Sequence, residues 1–211
     1  MKNTKLILRF VAIAAVTLTL GSTSIFGQTE TAETPKATAD TKQESKADEP
    51  KPLPIWVADD NLKFSASGTW KSVKPKSNML EVELKIPRVG DDDRDGRLTI
   101  MGAGGSIEAN IVRWEGQFIQ PDGSPTSEKS KSTEKEVAGQ KVNMVDISGT
   151  FMDGAPFSGQ KIERESYRML AAIVQTEKHG NYFVKFYGPK ATVDANAKHF
   201  KAMIQSLKVT E

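Results

Sequence analysis

The stretch from Tyr167 to Leu207, YRMLAAIVQTEKHGNYFVKFYGPKATVDANAKHFKAMIQSL, decides the fold of this chain. Its first half holds two apolar segments, 167–175 and 182–187, joined by TEKHGN, and this pattern predicts a β-hairpin with a Gly-Asn turn. The unbroken apolar run MLAAIV predicts a central strand that is covered on both faces. Gly188-Pro189 is expected to end the second strand.

The second half of the same stretch predicts a helix that packs on a sheet. Thr192 is the predicted N-cap of this helix. The apolar residues that follow recur at helical spacing and fall on one stripe, which consists of Val193, Ala197, Phe200, Ile204 and Leu207. A stripe of this kind needs an apolar surface to cover, so a sheet is expected beneath it.

The segments upstream predict further strands with one buried face. Residues 62–66 alternate between apolar and polar types, and residues 97–102 predict a short strand after the acidic turn. In MLEVELKIP, residues 79–87, we expect the apolar side chains to face the core and Glu81, Glu83 and Lys85 to face water. Residues 134–151 predict two strands about a tight Ala138-Gly139 turn.

A glycine-rich turn leads into a second amphipathic helix in MGAGGSIEANIVRWEGQF, residues 101–118. Ser106 is the predicted N-cap, and four apolar residues are expected to face the sheet, namely Ile107, Ile111, Trp114 and Phe118. A phosphate-binding loop is disfavoured, because Ser-Ile-Glu stands where such a loop carries Lys and Ser or Thr. The stretch therefore predicts a strand, a close-packed turn and a helix.

Together these elements predict an α+β fold with a mainly antiparallel sheet of about six to seven strands and two packed helices. The C-terminal stretch resembles the PsbP-like sandwich shared by photosystem extrinsic proteins and a Ran-binding protein, in which the last hairpin passes through a Gly-Pro turn into a final helix. The segment GGSIEANIVRWEGQF resembles one found in uncharacterised exported bacterial proteins. The resemblance covers Asn61 to Val209 and transfers no site residue, because a shared scaffold does not define a function.

The N-terminal part of the chain predicts export. Residues 1–27 resemble a secretory signal peptide, and residues 28–54 a disordered linker, which leaves one domain at 55–211. Without the three positive residues of the leader, the net charge of +2 becomes −1, which disfavours nucleic acid as a partner. The absence of cysteine excludes disulfides and thiol catalysis. We expect a monomeric periplasmic or secreted protein with no membrane span after removal of the leader.

The polar flank of the first helix is the candidate ligand site. Asn110, Arg113 and Gln117 share this flank, next to the turn glycines Gly104 and Gly105. The alternative interpretation is that these polar side chains fix the helix to neighbouring loops.

The acidic turn GDDDRDG is the candidate metal site. Asp91, Asp93 and Asp95 reproduce the first half of a calcium-binding loop, but Gly102 occupies the position of the closing carboxylate. The flanking segments predict strands, so an exposed acidic hairpin turn is the favoured interpretation, and weak calcium binding is the alternative. No other cofactor is expected.

No catalytic motif is present in the sequence. The two histidines, His179 and His199, lie outside any recognisable nucleophile or zinc pattern. We therefore predict an exported binding or accessory protein of the cell envelope with a small-molecule or protein partner. Two alternatives remain, a hydrolase or other small-molecule enzyme with a site assembled from distant residues, and a weak calcium-binding domain.

Overall fold

The computed structural model describes residues 50–154 and 160–210. The predicted signal peptide and residues 28–49 of the predicted linker lie outside the described residues. The first strand begins at Leu53, two residues before the predicted start of the domain.

The described chain contains eleven strands and two α-helices. In the first half, the elements are β1 (Leu53–Val57), β2 (Leu62–Ala66), β3 (Lys71–Val73), β4 (Val82–Ile86), β5 (Gly96–Ala103), α1 (Ile107–Glu115) and β6 (Phe118–Ile119). In the second half, they are β7 (Lys131–Val137), β8 (Gln140–Asp153), β9 (Ile162–Thr176), β10 (Gly180–Pro189), α2 (Lys190–Gln205) and β11 (Lys208–Val209). A single 3-10 turn, Thr126–Glu128, precedes β7.

The strands form two antiparallel sheets. The main sheet has eight strands in the order β3-β4-β5-β10-β9-β8-β6, with β7 also paired to β8, and the small sheet has the order β1-β2-β11. The predicted α+β class with a mainly antiparallel sheet and two helices is confirmed. The main sheet exceeds the predicted strand number because β3 and β6 contain only three and two residues, too few for a periodic pattern.

The C-terminal hairpin occupies the centre of the main sheet, as predicted. β9 pairs with β10 on one side and with β8 on the other. Its apolar run, residues 169–174, is buried throughout. The turn lies one residue earlier than the predicted Gly-Asn turn. Gly180 has a positive φ of 73°, as a turn glycine does, but Asn181 is already paired with Gln175 in the strand ladder.

Alternate residues of β9 enter two separate apolar cores. Leu170, Ala172 and Val174 belong to a core shared with α2 and the small sheet. Met169, Ala171 and Ile173 belong to a second core on the opposite face, where they pack with Trp114 and Phe183. The molecule is thus a three-layer sandwich, and α1 is the helix on the second face.

The predicted start of α1 is confirmed. The Ser106 hydroxyl accepts a hydrogen bond from the Ala109 N–H at 3.1 Å, and the helix ends before Gly116. Trp114 is buried in the second core, as expected. Phe118 is buried there too, but it belongs to β6 and not to the predicted helix. Ile107 and Ile111 are partly buried against the same core.

The prediction that Thr192 caps α2 is wrong. The helix begins at Lys190, and Thr192 lies within its first turn, fully buried. The capping acceptor is the Asp92 carboxylate, which accepts from the Thr192 N–H at 2.9 Å and from the Thr192 hydroxyl. A carboxylate from a distant loop therefore satisfies the helix N-terminus, which attracts negative charge.

The prediction that Glu83 faces water is also wrong. Only 3% of Glu83 is exposed, because Arg97 from the adjacent strand β5 covers and neutralises it. Glu81 is exposed, as expected, although its carboxylate accepts a hydrogen bond from the Ala58 N–H at 2.9 Å.

Candidate functional site

The glycine turn before α1 is fastened by Asn110. The Asn110 amide nitrogen donates to the Ser106 carbonyl at 2.8 Å and to the Gly104 carbonyl at 3.3 Å, and only 3% of the residue is exposed. Gly105 has a φ of 93°, and a Cβ at this position would lie 3.2 Å from the Asn110 amide nitrogen. These contacts match the structural interpretation of Asn110, whose amide nitrogen bonds the turn.

Arg113 lies on α1, whereas Gln117 follows the end of the helix and does not share its flank as predicted. Gln117 contacts Lys185 of β10, a residue that the sequence did not single out. The Gln117 Oε1 accepts a hydrogen bond from the Lys185 Nζ at 3.1 Å. The Lys185 Nζ lies 5.6 Å from the centre of the Trp114 ring and 5.7 Å from that of Tyr187. The pattern YFVKFY could have indicated this residue. Lys185 stands two positions from both Phe183 and Tyr187, so it shares their face of the strand, and that face is covered.

Lys185 is a cation in an unfavourable environment. Its pKa is lowered from 10.5 to about 8, mainly by burial and additionally by the positive charges of Arg113 and Arg97. Within residues 50–154 and 160–210, no carboxylate forms an ion pair with Lys185.

A pocket of about 470 Å³ opens on the same face of the main sheet. Three aromatic rings contribute to its lining, those of Phe151, Tyr167 and Tyr187. The rings of Phe151 and Tyr167 are nearly parallel with centres 5.9 Å apart, and those of Phe151 and Tyr187 are 5.3 Å apart. We call this cavity the aromatic pocket; the rings of Phe151 and Tyr167 are largely buried, and that of Tyr187 is partly exposed.

An ion pair forms one wall of the aromatic pocket. The Arg97 Nε and Nη2 donate to the two carboxylate oxygens of Glu83, both at 2.9 Å, and its Nη1 donates to the Tyr187 hydroxyl at 2.6 Å. Glu83 also accepts from the Lys76 N–H at 3.0 Å. The hydrogen bonds from Arg97 hold the pKa of Glu83 below its ordinary value, although burial opposes this change. Glu83 is therefore a fixed anion.

Lysines at the rim give the aromatic pocket a positive character. Lys74 and Lys76 are exposed, line the pocket and form no ion pair with any residue in the described parts of the chain. Lys85 also lines it but is paired with Asp95 at 2.7 Å. The unpaired positive charge at the rim favours an anionic ligand.

Backbone strain lies directly beside the aromatic pocket. Ser166 has a φ of 52°, within a bulge at which residues 165 and 166 of β9 oppose a single residue of β8. Tyr167 keeps the alternation of Met169 and Ala171 and faces the second core, whereas the bulge shifts the alternation of the β9 residues before it, so that Arg164 lies opposite Phe151. A left-handed conformation in a serine costs about 1 kcal/mol or more, and such strain concentrates at binding sites.

The acidic turn does not bring the predicted calcium ligands together. Asp93 pairs with Arg94 at 3.0 Å, while Asp95 pairs with Lys85 and accepts from the Arg88 N–H at 2.9 Å. Asp91 is exposed. Over residues 50–154 and 160–210, no group of three or more acidic or histidine side chains is arranged to hold a metal ion.

The two histidines lie away from the aromatic pocket. His179 lines a separate groove beside the β9–β10 turn, and His199 is exposed on α2. The buried carboxylate in the pocket wall, Glu83, is already bound by Arg97. The geometry of the aromatic pocket thus favours recognition over proton transfer.

The described part of the chain folds as an α+β sandwich with a central antiparallel sheet. No protein-family model and no curated protein sequence matches it. It is similar to the solution structure of cyanobacterial PsbP from Synechocystis, with a TM-score of 0.48, 13% identity and coverage of 76% of this chain and 94% of that one.

Two further structures show a similar degree of likeness. LpqN, involved in cell envelope biogenesis of Mycobacterium tuberculosis, has a TM-score of 0.47 and 9% identity over 76% of this chain and 91% of its own. The Ran-binding protein Mog1p of Saccharomyces cerevisiae has a TM-score of 0.45 and 9% identity over 75% of this chain and 95% of its own. The predicted PsbP-like resemblance is confirmed to this extent, and the likeness concerns the fold alone.

Proposed function

We propose that this protein is a non-catalytic binding or accessory protein of the cell envelope, and that its ligand site is the aromatic pocket. The observation that carries the proposal is the combination of three clustered rings with unpaired lysines in one cavity. The matching ligand is a small molecule with a flat apolar body and an acidic group.

The two parts of the pocket correspond to the two parts of such a ligand. The apolar body would pack mainly on the partly exposed ring of Tyr187, because an aromatic ring offers a large contact area with little loss of rotamer freedom. The acidic group would lie toward Lys74 and Lys76, whose charges have no ion-pair partner in the described residues. Long-range attraction to these lysines would also accelerate association.

The walls support binding rather than turnover. Arg97 is held by Glu83 and Tyr187, so the pocket keeps its shape without a ligand. A preformed wall lowers the ordering cost of binding. Because Glu83 is a fixed anion, it is poorly suited to exchanging protons with a substrate.

The placement in the envelope rests on the sequence of residues 1–27, which resembles a signal peptide. None of the helices in the described parts of the chain is long and apolar enough to cross a membrane. Expression of the full chain with a C-terminal tag, followed by fractionation and N-terminal sequencing, tests this part. We expect cleavage after Ser24 or Gly27; an uncleaved cytoplasmic product would contradict export.

The ligand proposal is tested by binding measurements on the full chain. A panel of aromatic carboxylates and their neutral amides is titrated at pH 7, with the melting temperature and calorimetric heat as readouts. We expect the acids to bind and the amides to bind at least about tenfold more weakly, the loss given by one charged contact.

Variants connect the binding to the aromatic pocket. The double substitution Lys74→Gln with Lys76→Gln is expected to weaken the acids and leave the amides unchanged. The matched control makes the same charge change on exposed lysines of α2, Lys198→Gln with Lys201→Gln. Equal weakening by both double variants, or equal binding of acids and amides, would overturn the proposal.

A further inference from the structure

We propose that Lys185, Arg113 and Gln117 form a second site, separate from the aromatic pocket, that binds a small oxyanion such as a carboxylate or phosphate group. The site lies on the same face of the main sheet, where the C-terminal end of α1 meets β10. It contains two of the residues selected from the sequence, joined by a lysine from a strand 68 residues further along the chain.

The donors of Lys185 are only partly used by the protein. An ammonium group carries three N–H donors. Among the described residues, one of them bonds the Gln117 Oε1 at 3.1 Å. The rings of Trp114 and Tyr187 flank the Nζ, and Lys185 as a whole remains partly exposed. An incoming oxygen would therefore find a positioned donor that is held by packing.

The charges around Lys185 are unbalanced. Arg97 is neutralised by Glu83, whereas the described hydrogen bond of Arg113 goes to the neutral amide of Asn110. Glu115, the acidic residue at the end of α1, bonds the Ser130 hydroxyl instead. The partly buried Lys185 and the exposed Arg113 thus both carry a positive charge that has no ion-pair partner among residues 50–154 and 160–210.

A partly buried charge without a counter-charge is unfavourable, and a bound anion would relieve it. Arg113 suits such an anion because its guanidinium presents several N–H donors in a fixed plane that matches the oxygens of a carboxylate or phosphate. Gln117 would orient the Lys185 ammonium toward it. The site therefore has the charge, the donors and the exposure that an oxyanion requires.

Tyr187 separates this site from the aromatic pocket. Its ring lines the pocket and also lies 5.7 Å from the Lys185 Nζ, whereas Lys185 is not part of the pocket lining. The oxyanion site is thus independent of the proposed ligand, and the two proposals fail separately. In particular, the double Lys74 and Lys76 variant should keep its full response to small oxyanions.

The test measures the melting temperature of the full chain during titration with sodium acetate, sodium phosphate or sodium chloride at constant ionic strength and pH 7. We expect a saturable rise with acetate or phosphate and none with chloride. The variant Lys185→Met should melt at a higher temperature than the wild type without oxyanion and should lose the rise. Arg113→Gln should require a several-fold higher oxyanion concentration.

Lys63→Met is the matched control. Lys63 is also a partly buried strand lysine beside an indole, with its Nζ 4.4 Å from the centre of the Trp56 ring. This variant should keep the wild-type response to oxyanions. An equal response to chloride, or an unchanged oxyanion response in Lys185→Met, would overturn the proposal.

A second measurement on the wild-type chain does not depend on the folding of a variant. Acylation of lysines by a water-soluble ester is followed by peptide mass spectrometry with and without saturating phosphate. We expect phosphate to slow the acylation of Lys185 several-fold relative to chloride and to leave Lys63 unaffected. Equal rates for Lys185 in both salts would overturn the proposal. Separate acetate and phosphate arms show which oxyanion is preferred.

Discussion

Arg97 and Glu83 form a two-point ion pair diagonally across the main sheet. In the ladder, Glu83 lies opposite Thr99, and Arg97 lies opposite Lys85. Glu83 and Arg97 are therefore diagonal neighbours on adjacent strands, and the Arg97 guanidinium extends along the strand direction to reach the Glu83 carboxylate. Both nitrogen-to-oxygen distances are 2.9 Å, and the carboxylate side chain is 3% exposed. The pair joins β4 to β5 at the wall of the aromatic pocket.

Removal of the Glu83 charge should destabilise the protein. Glu83→Gln breaks the two-point pair and leaves Arg97 partly buried, which we expect to lower the free energy of unfolding by about 2 kcal/mol at pH 7. Urea denaturation measures the change. Glu163→Gln, at an exposed position of β9, is the control and should stay within about 0.5 kcal/mol of the wild type.

The same variant has a defined pH signature. Because the folded-state pKa of Glu83 lies below the ordinary 4.5, its stabilising contribution is present above pH 4.5 and lost as the pH falls through the folded value. The stability of Glu83→Gln should therefore decrease less steeply below pH 4.5 than that of the wild type. Parallel curves would contradict this assignment.

Lys185 should produce a slope of the same sign in alkaline solution, because its folded-state pKa is also lowered. Its pKa is lowered from 10.5 to about 8, so the unfolded chain binds more protons between these values and stability rises with pH in that window. Arg97 and Arg113 face the amine and stay charged throughout, and burial raises the pKa of the neighbouring Tyr187 above its ordinary 10.

The variant Lys185→Met isolates this contribution. We expect it to remove a rise of about 1–2 kcal/mol between pH 8 and 10.5, since partial exposure reduces the full effect. Denaturation at several pH values in a buffer without oxyanions gives the two curves. Identical slopes for wild type and variant in this window would show that Lys185 titrates normally.

Removal of the Asp92 carboxylate, which caps α2, should lower the free energy of unfolding. Asp92→Ala leaves the Thr192 N–H and hydroxyl without their acceptor, and we expect a loss of about 1–2 kcal/mol. Asp92→Asn keeps one acceptor oxygen but loses the charge at the helix N-terminus, so its loss should be smaller. Asp91→Ala, one residue away and exposed, is the control.

The strained serine beside the aromatic pocket offers a stabilising substitution. Glycine adopts positive φ without steric cost, so Ser166→Gly should raise the free energy of unfolding by about 0.5 kcal/mol or more. Ser132→Gly in β7, at an ordinary strand position, should have the opposite sign. A loss of stability in Ser166→Gly would mean that the bulge is held by the serine side chain.

Calcium should have little effect on the domain. Binding at Asp91, Asp93 and Asp95 would have to break the pairs of Asp93 with Arg94 and of Asp95 with Lys85. We expect the melting temperature to change by less than about 1 °C in several millimolar calcium. A larger rise that disappears in Asp95→Asn would favour the weak site suggested by the sequence.

Local patterns predicted most of the fold. The buried run of β9, the tight turn at Ala138-Gly139 and the cap at Ser106 each depend on residues within a few positions, so one sequence sufficed. The failures involve distant partners. The sequence around Thr192 predicts a cap, but the capping carboxylate comes from Asp92, 100 residues away. The alternation around Glu83 predicts a solvated side chain, but Arg97 from the next strand covers it.

The candidate sites depend on the same long-range geometry. The helical spacing predicted Arg113 and Gln117 on one flank of α1, but the helix ends at Glu115, before Gln117. The strand that lies beneath the helix is determined by the sheet order. Lys185 and the rings of the aromatic pocket come from the consecutive strands β8, β9 and β10, whereas Arg97 and Gln117 come from much earlier in the chain. Their convergence could be inferred only from the order of β5, β10, β9 and β8 in the main sheet.

The two faces of the main sheet pack on different cores and should differ in how well they tolerate amino-acid substitution. The side under the sixteen-residue α2 and the small sheet is closed by apolar packing, and substitutions there act on folding itself. The nine-residue α1 leaves part of the other side to tyrosines, lysines and arginines. Residues on the α1 face can therefore change during evolution, and ligand preference with them, while the apolar core on the α2 face continues to specify the same fold.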